Sequence, residues 1–115
     1  MTGETFGKLV LVQEGAPERE FGLGKASVTI GRALTNDIVL ADTRASRDHA
    51  CMSCTATGCE IADLGSSNGT RVNGIAVERT VALRSGDVVS IGSSQLRYVL
   101  AALSENLDAT RIDSE

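Results

Sequence analysis

Residues 71–76 read RVNGIA, and the Asn73-Gly74 pair at their centre sets how the rest of the chain is read. A two-residue type I′ turn needs φ > 0 at both central positions, which Asn and Gly tolerate best, so Arg71-Val72 and Ile75-Ala76 are expected as the arms of a hairpin. Outward from that turn, apolar residues recur in runs of three to seven, rich in Val, Ile and Leu and bounded by Gly, Ser, Asn or Asp. Short strands give this pattern; helices do not. Candidate strands are 8–13, 19–23, 27–31, 37–40, 49–54, 59–63, 71–72, 75–76, 81–83, 87–91 and 95–101. Eleven strands in so short a chain imply an all-β fold, a two-sheet β-sandwich.

The chain has 115 residues, with 11 Lys+Arg against 15 Asp+Glu for a net charge of −4, and 42% of its residues are apolar. A domain of this size buries about two-thirds of the surface it exposes when unfolded, enough for one core without metal or disulfide staples. No run approaches the ~20 apolar residues that cross a bilayer, and the opening MTGETFGK lacks a basic start followed by an apolar stretch. Neither membrane insertion nor secretion is expected, and the expected location is cytoplasmic. Net acidity removes the attraction behind most nucleic-acid binding, so no nucleic-acid partner is expected. Residues 8–102 are read as the sandwich, 1–7 as a flexible arm, and 103–115, polar and mostly acidic, as a flexible tail.

An enzyme is not expected: HExxH, GxSxG, GxxxxGK[ST] and a strand-borne GxGxxG are all missing. His49 and Cys51, as neighbours on one strand face, leave no room to flank a substrate. No metal or cofactor is expected either. His49, Cys51, Cys54 and Cys59 are suitable ligand types, but strand alternation puts His49 and Cys51 on one face and Cys54 on the other. Cys54 and Cys59 flank four residues and are candidate cross-strand neighbours at a hairpin. Small apolar filler in a reducing compartment is the favoured reading, an oxidised pair the alternative.

What remains is a set of short polar residues around Arg32, Arg44, Arg47 and Arg71. Gly31-Arg32 ends a strand, Ser46-Arg47-Asp48-His49 precedes another, and Ser66-Ser67-Asn68-Gly69-Thr70 follows Asp63 in a glycine-containing loop. Three loops can converge at one end of a sandwich, where guanidiniums and hydroxyls would form a cradle for a dianionic phosphate. Taken singly, each residue reads as a solvated charge or turn former; the signal lies in their combination.

The stretch GRALTNDIVLADTRASRDHA (31–50) followed by DLGSSNGTRVNG (63–74) resembles the forkhead-associated (FHA) domain, whose motif is GR, then S-x-x-H, then S-x-N-G. The resemblance extends over about residues 8–101 with the flanking strands. It implies an eleven-stranded β-sandwich that binds phosphothreonine peptides through loops at one end, as an adaptor in Ser/Thr kinase signalling. By that resemblance Arg32, Ser46 and Arg47 contact the phosphate, Ser67 bonds it or braces its loop, and Asn68 holds the peptide backbone. Gly31, His49 and Gly69 look architectural.

The expected partner is a phosphothreonine-containing protein or peptide, such as a Ser/Thr kinase or its substrate. Arg44, two residues before Ser46, is a candidate to read an acidic residue three places after the phosphothreonine, a distance of ~10 Å along an extended peptide. Thr110, followed three places later by Asp113, and more weakly Thr5, are candidate phosphorylation sites that would let the chain bind itself or a second copy. The alternative is a phospho-independent interaction module on the same sandwich.

Overall fold

In the computed structural model, residues 7–13, 15–24, 26–55 and 58–100 are described. They form eleven strands: β1 (Lys8–Val12), β2 (Arg19–Gly22), β3 (Ser27–Gly31), β4 (Ile38–Val39), β5 (Ala50–Thr55), β6 (Gly58–Asp63), β7 (Thr70–Val72), β8 (Ile75–Ala76), β9 (Thr80–Leu83), β10 (Val88–Ile91) and β11 (Ser94–Val99). Each corresponds to one expected from sequence, with ends shifted by one or two residues; Ala101 lies outside the described residues. The β7–β8 turn has Asn73 at φ 51° and Gly74 at φ 85°, and Val72 pairs with Ile75.

The strands divide into a six-stranded sheet, ordered β2-β1-β11-β10-β7-β8, and a five-stranded sheet, ordered β4-β3-β5-β6-β9. Pairing is antiparallel except between β3 and β4. Strand alternation turns every second side chain inward. Leu9 and Leu11, Val89 and Ile91, and Leu96 and Tyr98 come from one sheet, and Val28 and Ile30, Met52 and Ile61 from the other. All ten belong to one buried core. Gly7, placed by sequence in the arm, is buried and its carbonyl accepts the Leu23 N–H at 2.9 Å. Among the described residues no helix is long and apolar enough to cross a membrane.

Register brings the functional loops to one pole. Ile30 pairs with Ala50 and Ala50 with Asp63, so β3 and β6 end where β5 begins. The segments 32–37, 40–49 and 64–69 therefore leave the five-stranded sheet on the same side. In the other sheet Thr70 pairs with Ile91, which adds the β10–β11 turn to that pole.

The cysteines depart from the favoured reading. Cys54 and Cys59 are directly opposite each other in the β5–β6 ladder, with Cα atoms 4.0 Å apart, and form a disulfide instead of separate apolar filler. The sequence suggested the hairpin, but only the register puts both side chains inward and face to face. The strand face expected to be shared by His49 and Cys51 does not form either, because β5 starts at Ala50 and His49 belongs to the preceding loop. The Cys51 sulfur instead lies 3.4 Å from the Ser27 hydroxyl on the outer face.

Two outcomes follow for stability and chemistry. Ile61→Ala, which empties a fully buried site, is expected to cost about 2–5 kcal/mol in denaturant unfolding. Unfolded without reductant, the chain is expected to yield one dye-reactive thiol, from Cys51, although it contains 3 Cys; three reactive thiols would contradict the disulfide.

Candidate functional site

His49 is fully buried between the β4–β5 and β6–β7 loops. Its Nδ1 accepts the Ser46 N–H at 2.9 Å, and its Nε2 lies 2.9 Å from the Gly69 carbonyl. A backbone N–H can only donate and a carbonyl can only accept, so the ring carries its proton on Nε2 and is neutral. The ring thus ties the loop bearing Ser46 to the loop bearing Asn68. The β3–β4 loop joins them through the backbone: Arg32 N–H donates to Ser46 O at 2.9 Å and Ala33 N–H to Arg47 O at 3.1 Å.

The five expected contact residues lie on this frame. The Ser46 hydroxyl, half-buried, accepts the Ser67 N–H at 3.0 Å, which leaves its own proton available to donate outward. Arg32 donates from Nε to the Ala45 carbonyl at 3.0 Å, so the guanidinium is anchored beside Ser46 while its terminal nitrogens have no salt bridge among the described residues. The Asn68 side chain donates to the Arg44 carbonyl at 2.8 Å, keeping its amide oxygen and second N–H for other partners. Arg47 and the Ser67 side chain are exposed, and what fixes Arg47 is its carbonyl, which accepts Asn36 Nδ2 at 2.6 Å. Thr5 and Thr110 lie outside the described residues.

Two glycines meet steric demands at this pole. A Cβ on Gly31 would sit 2.2 Å from the Arg47 carbonyl oxygen, inside any contact a real atom makes. Gly69 has φ +83°, where a side chain is opposed.

Three organisers hold these loops; Asn36, in the N-D-I-V-L run, and Asp63, before the Asn68 loop, stand at accessory positions of the family resemblance, and Asp42 was not singled out from sequence. Asp63 receives Gly65 N–H and Ser66 N–H on Oδ2, and the Ser66 and Thr70 hydroxyls on Oδ1 at 2.5 and 2.6 Å. Ser66 Oγ in turn accepts the Gly69 N–H, closing the loop. Asp42 receives Arg44 N–H on Oδ1, and Ser93 N–H and Ser94 Oγ on Oδ2, which fastens the Ser46 loop to the β10–β11 turn. Asn36 bridges Ala33 O and Arg47 O. The D-x-G-S spacing of residues 63–66 is also an Asx-turn signal, the local chemistry behind the position of Asp63. The reach of Asp42 across 51 residues to Ser93 had no local signature.

Partial burial raises the pKa of both carboxyls, but the hydrogen bonds outweigh it and each is held below the ordinary Asp value. A folded pKa below the unfolded one means stability that is present above the unfolded pKa and lost as pH falls through the folded pKa. Acid titration of unfolding free energy is expected to fall below about pH 4, and Asp63→Asn to flatten that fall while lowering stability at neutral pH. His49→Ala, which empties a fully buried site and strips the Ser46 N–H and the Gly69 carbonyl of their partner, is expected to cost about 2–5 kcal/mol in the same assay.

Comparison with known proteins gives a consistent picture. The family model for the FHA domain matches residues 28–92. An ABC transporter ATP-binding/permease protein of Mycobacterium tuberculosis is 46% identical over 93 residues, which are 78% of this chain and 11% of that protein. The solved structure of an FHA domain whose phosphothreonine-dependent interactions were analysed superposes with TM-score 0.72 at 32% identity, over 80% of this chain and 95% of that one. The Mycobacterium tuberculosis protein EmbR, solved with a low affinity phosphopeptide, gives TM-score 0.75 at 32% identity, over 87% of this chain and 26% of EmbR. The chain thus spans only a small part of the transporter and of EmbR.

Proposed function

The chain belongs to the forkhead-associated domain family, and from that membership we propose that it is a non-enzymatic phosphothreonine-binding module, an adaptor that brings a phosphorylated partner to whatever it is joined to. The observation that carries the reading is the pairing of Arg32 and Ser46. One is anchored by its Nε on Ala45 O and the other by accepting the Ser67 N–H, so both keep donors free for an incoming anion. Arg32, Ser46 and Arg47 hold the phosphate, Ser67 contributes its hydroxyl or braces the loop, and Asn68 bonds the peptide backbone. Arg44 reads an acidic residue three places after the phosphothreonine. The partner is a Ser/Thr kinase or its substrate, met in the cytoplasm where phosphothreonine is made.

Magnitudes support a modest affinity. Each charge-assisted contact contributes about 1.5–3 kcal/mol net, and three or four of them are offset by the cost of ordering an extended peptide. The result is of micromolar order. Unphosphorylated threonine loses the charge and most acceptors. Phosphoserine lacks one methyl, worth about 0.8 kcal/mol if buried, so discrimination against it is small.

Fluorescence anisotropy with a phosphothreonine peptide and its unphosphorylated twin tests the reading. Arg32→Ala and Ser46→Ala are each expected to weaken phosphopeptide binding at least about tenfold, the equivalent of ~1.4 kcal/mol, with circular dichroism unchanged. Indifference to Arg32→Ala, or equal binding of the two peptides, would point instead to a phospho-independent interaction surface.

A further inference from the structure

Beside the Asn68 loop lies a concavity that shares Arg44 and Asn68 with the proposed peptide contacts and adds Arg71, which those contacts leave unused. Its volume is about 290 Å3, and it is lined by Arg44, Asn68, Gly69, Arg71, Ser90 and Gly92. Arg44 comes from the β4–β5 loop. Arg71 comes from β7, where it is exposed and pairs in register with Ser90 of β10. Two guanidiniums on one small concavity repel each other unless an anion lies between them.

No carboxylate answers that demand from within the described residues. Among the described residues neither Arg44 nor Arg71 has a salt bridge. The acid nearest in sequence to Arg44 is Asp42; the two attract, but the Asp42 oxygens are already taken by Arg44 N–H, Ser93 N–H and the Ser94 hydroxyl. Two cations thus share a wall with the Asn68 loop on a chain whose net charge is −4.

We propose that this concavity is a second anion subsite, which takes a phosphoryl group on the same peptide, so that the preferred ligand is a doubly phosphorylated segment. The inference rests on the phosphothreonine reading and deepens it. Arg44 alone matches one carboxylate; Arg71 doubles the positive charge. A dianion with three acceptor oxygens satisfies two guanidinium forks, whereas a carboxylate leaves one charge unneutralised. Asn68 and Gly69 form part of the wall, so a chain lying over Asn68 reaches both places without a long detour.

The test is a binding panel on the intact chain. The anchoring phosphothreonine is kept, and a second phosphothreonine, Asp or Ala is placed in turn at each position within about four residues on either side, ~3.3 Å apiece in an extended peptide. One position is expected to bind about tenfold tighter with phosphate than with Ala, a difference of ~1.4 kcal/mol. Arg71→Gln is expected to abolish that gain and to leave the singly phosphorylated peptide's affinity and the melting temperature unchanged. Absence of a gain at every position, a gain that survives Arg71→Gln, or an equal gain from Asp overturns the second subsite while the phosphothreonine reading stands. Failure of every phosphorylated peptide to bind overturns both.

Discussion

The imidazole of His49 stands between two loops with both nitrogens engaged, accepting the Ser46 N–H and donating to the Gly69 carbonyl, each at 2.9 Å. A rigid five-membered ring makes the separation of those loops a fixed quantity. The Ser46 hydroxyl and the Asn68 amide sit on different loops, so their spacing is set before any ligand arrives. This matters because ordering a site at the moment of binding subtracts from affinity. Full burial of the ring adds cooperativity: removing it takes the partner from a polar group on each loop at once.

Charge is arranged by the same means. The chain is acidic overall, yet the pole where the loops converge presents arginines. Three of the acids near it are turned to structural work, Asp63 on the N–H groups and hydroxyls of its own loop, Asp42 on the β10–β11 turn, and Asp37 on Thr29 of β3. Carboxylates satisfied in this way hold loop geometry without neutralising the guanidiniums. An acidic sandwich thereby offers a local positive field suited to a compact dianion and ill suited to a long polyanion.

The opposite pole is held by different chemistry. The Cys54–Cys59 disulfide joins β5 to β6 next to the Thr55–Gly58 pair, away from Ala50 and Asp63, which lie at the loop pole. The sequence reading favoured free thiols there because it weighed the compartment and had no register. Whether two inward cysteines meet depends on a one-residue choice of alignment, since a slip of one turns every side chain to the other face.

The fold was legible in the sequence because strands and turns are local. Most strands are short apolar runs, several with a clear period of two, and the Asn73-Gly74 turn announces its own geometry. The residues of the candidate site were legible too, because GR, S-x-x-H and S-x-N-G stand in order along the chain. Their arrangement was not. That Asp42 fastens the Ser46 loop to Ser93, that Arg44 and Arg71 share one concavity, and that His49 leaves the face of Cys51 to bridge two loops are consequences of strands distant in sequence being packed side by side. Such contacts have no period and no fixed spacing to read; they exist only once two sheets have closed on a common core and brought their loops to one end.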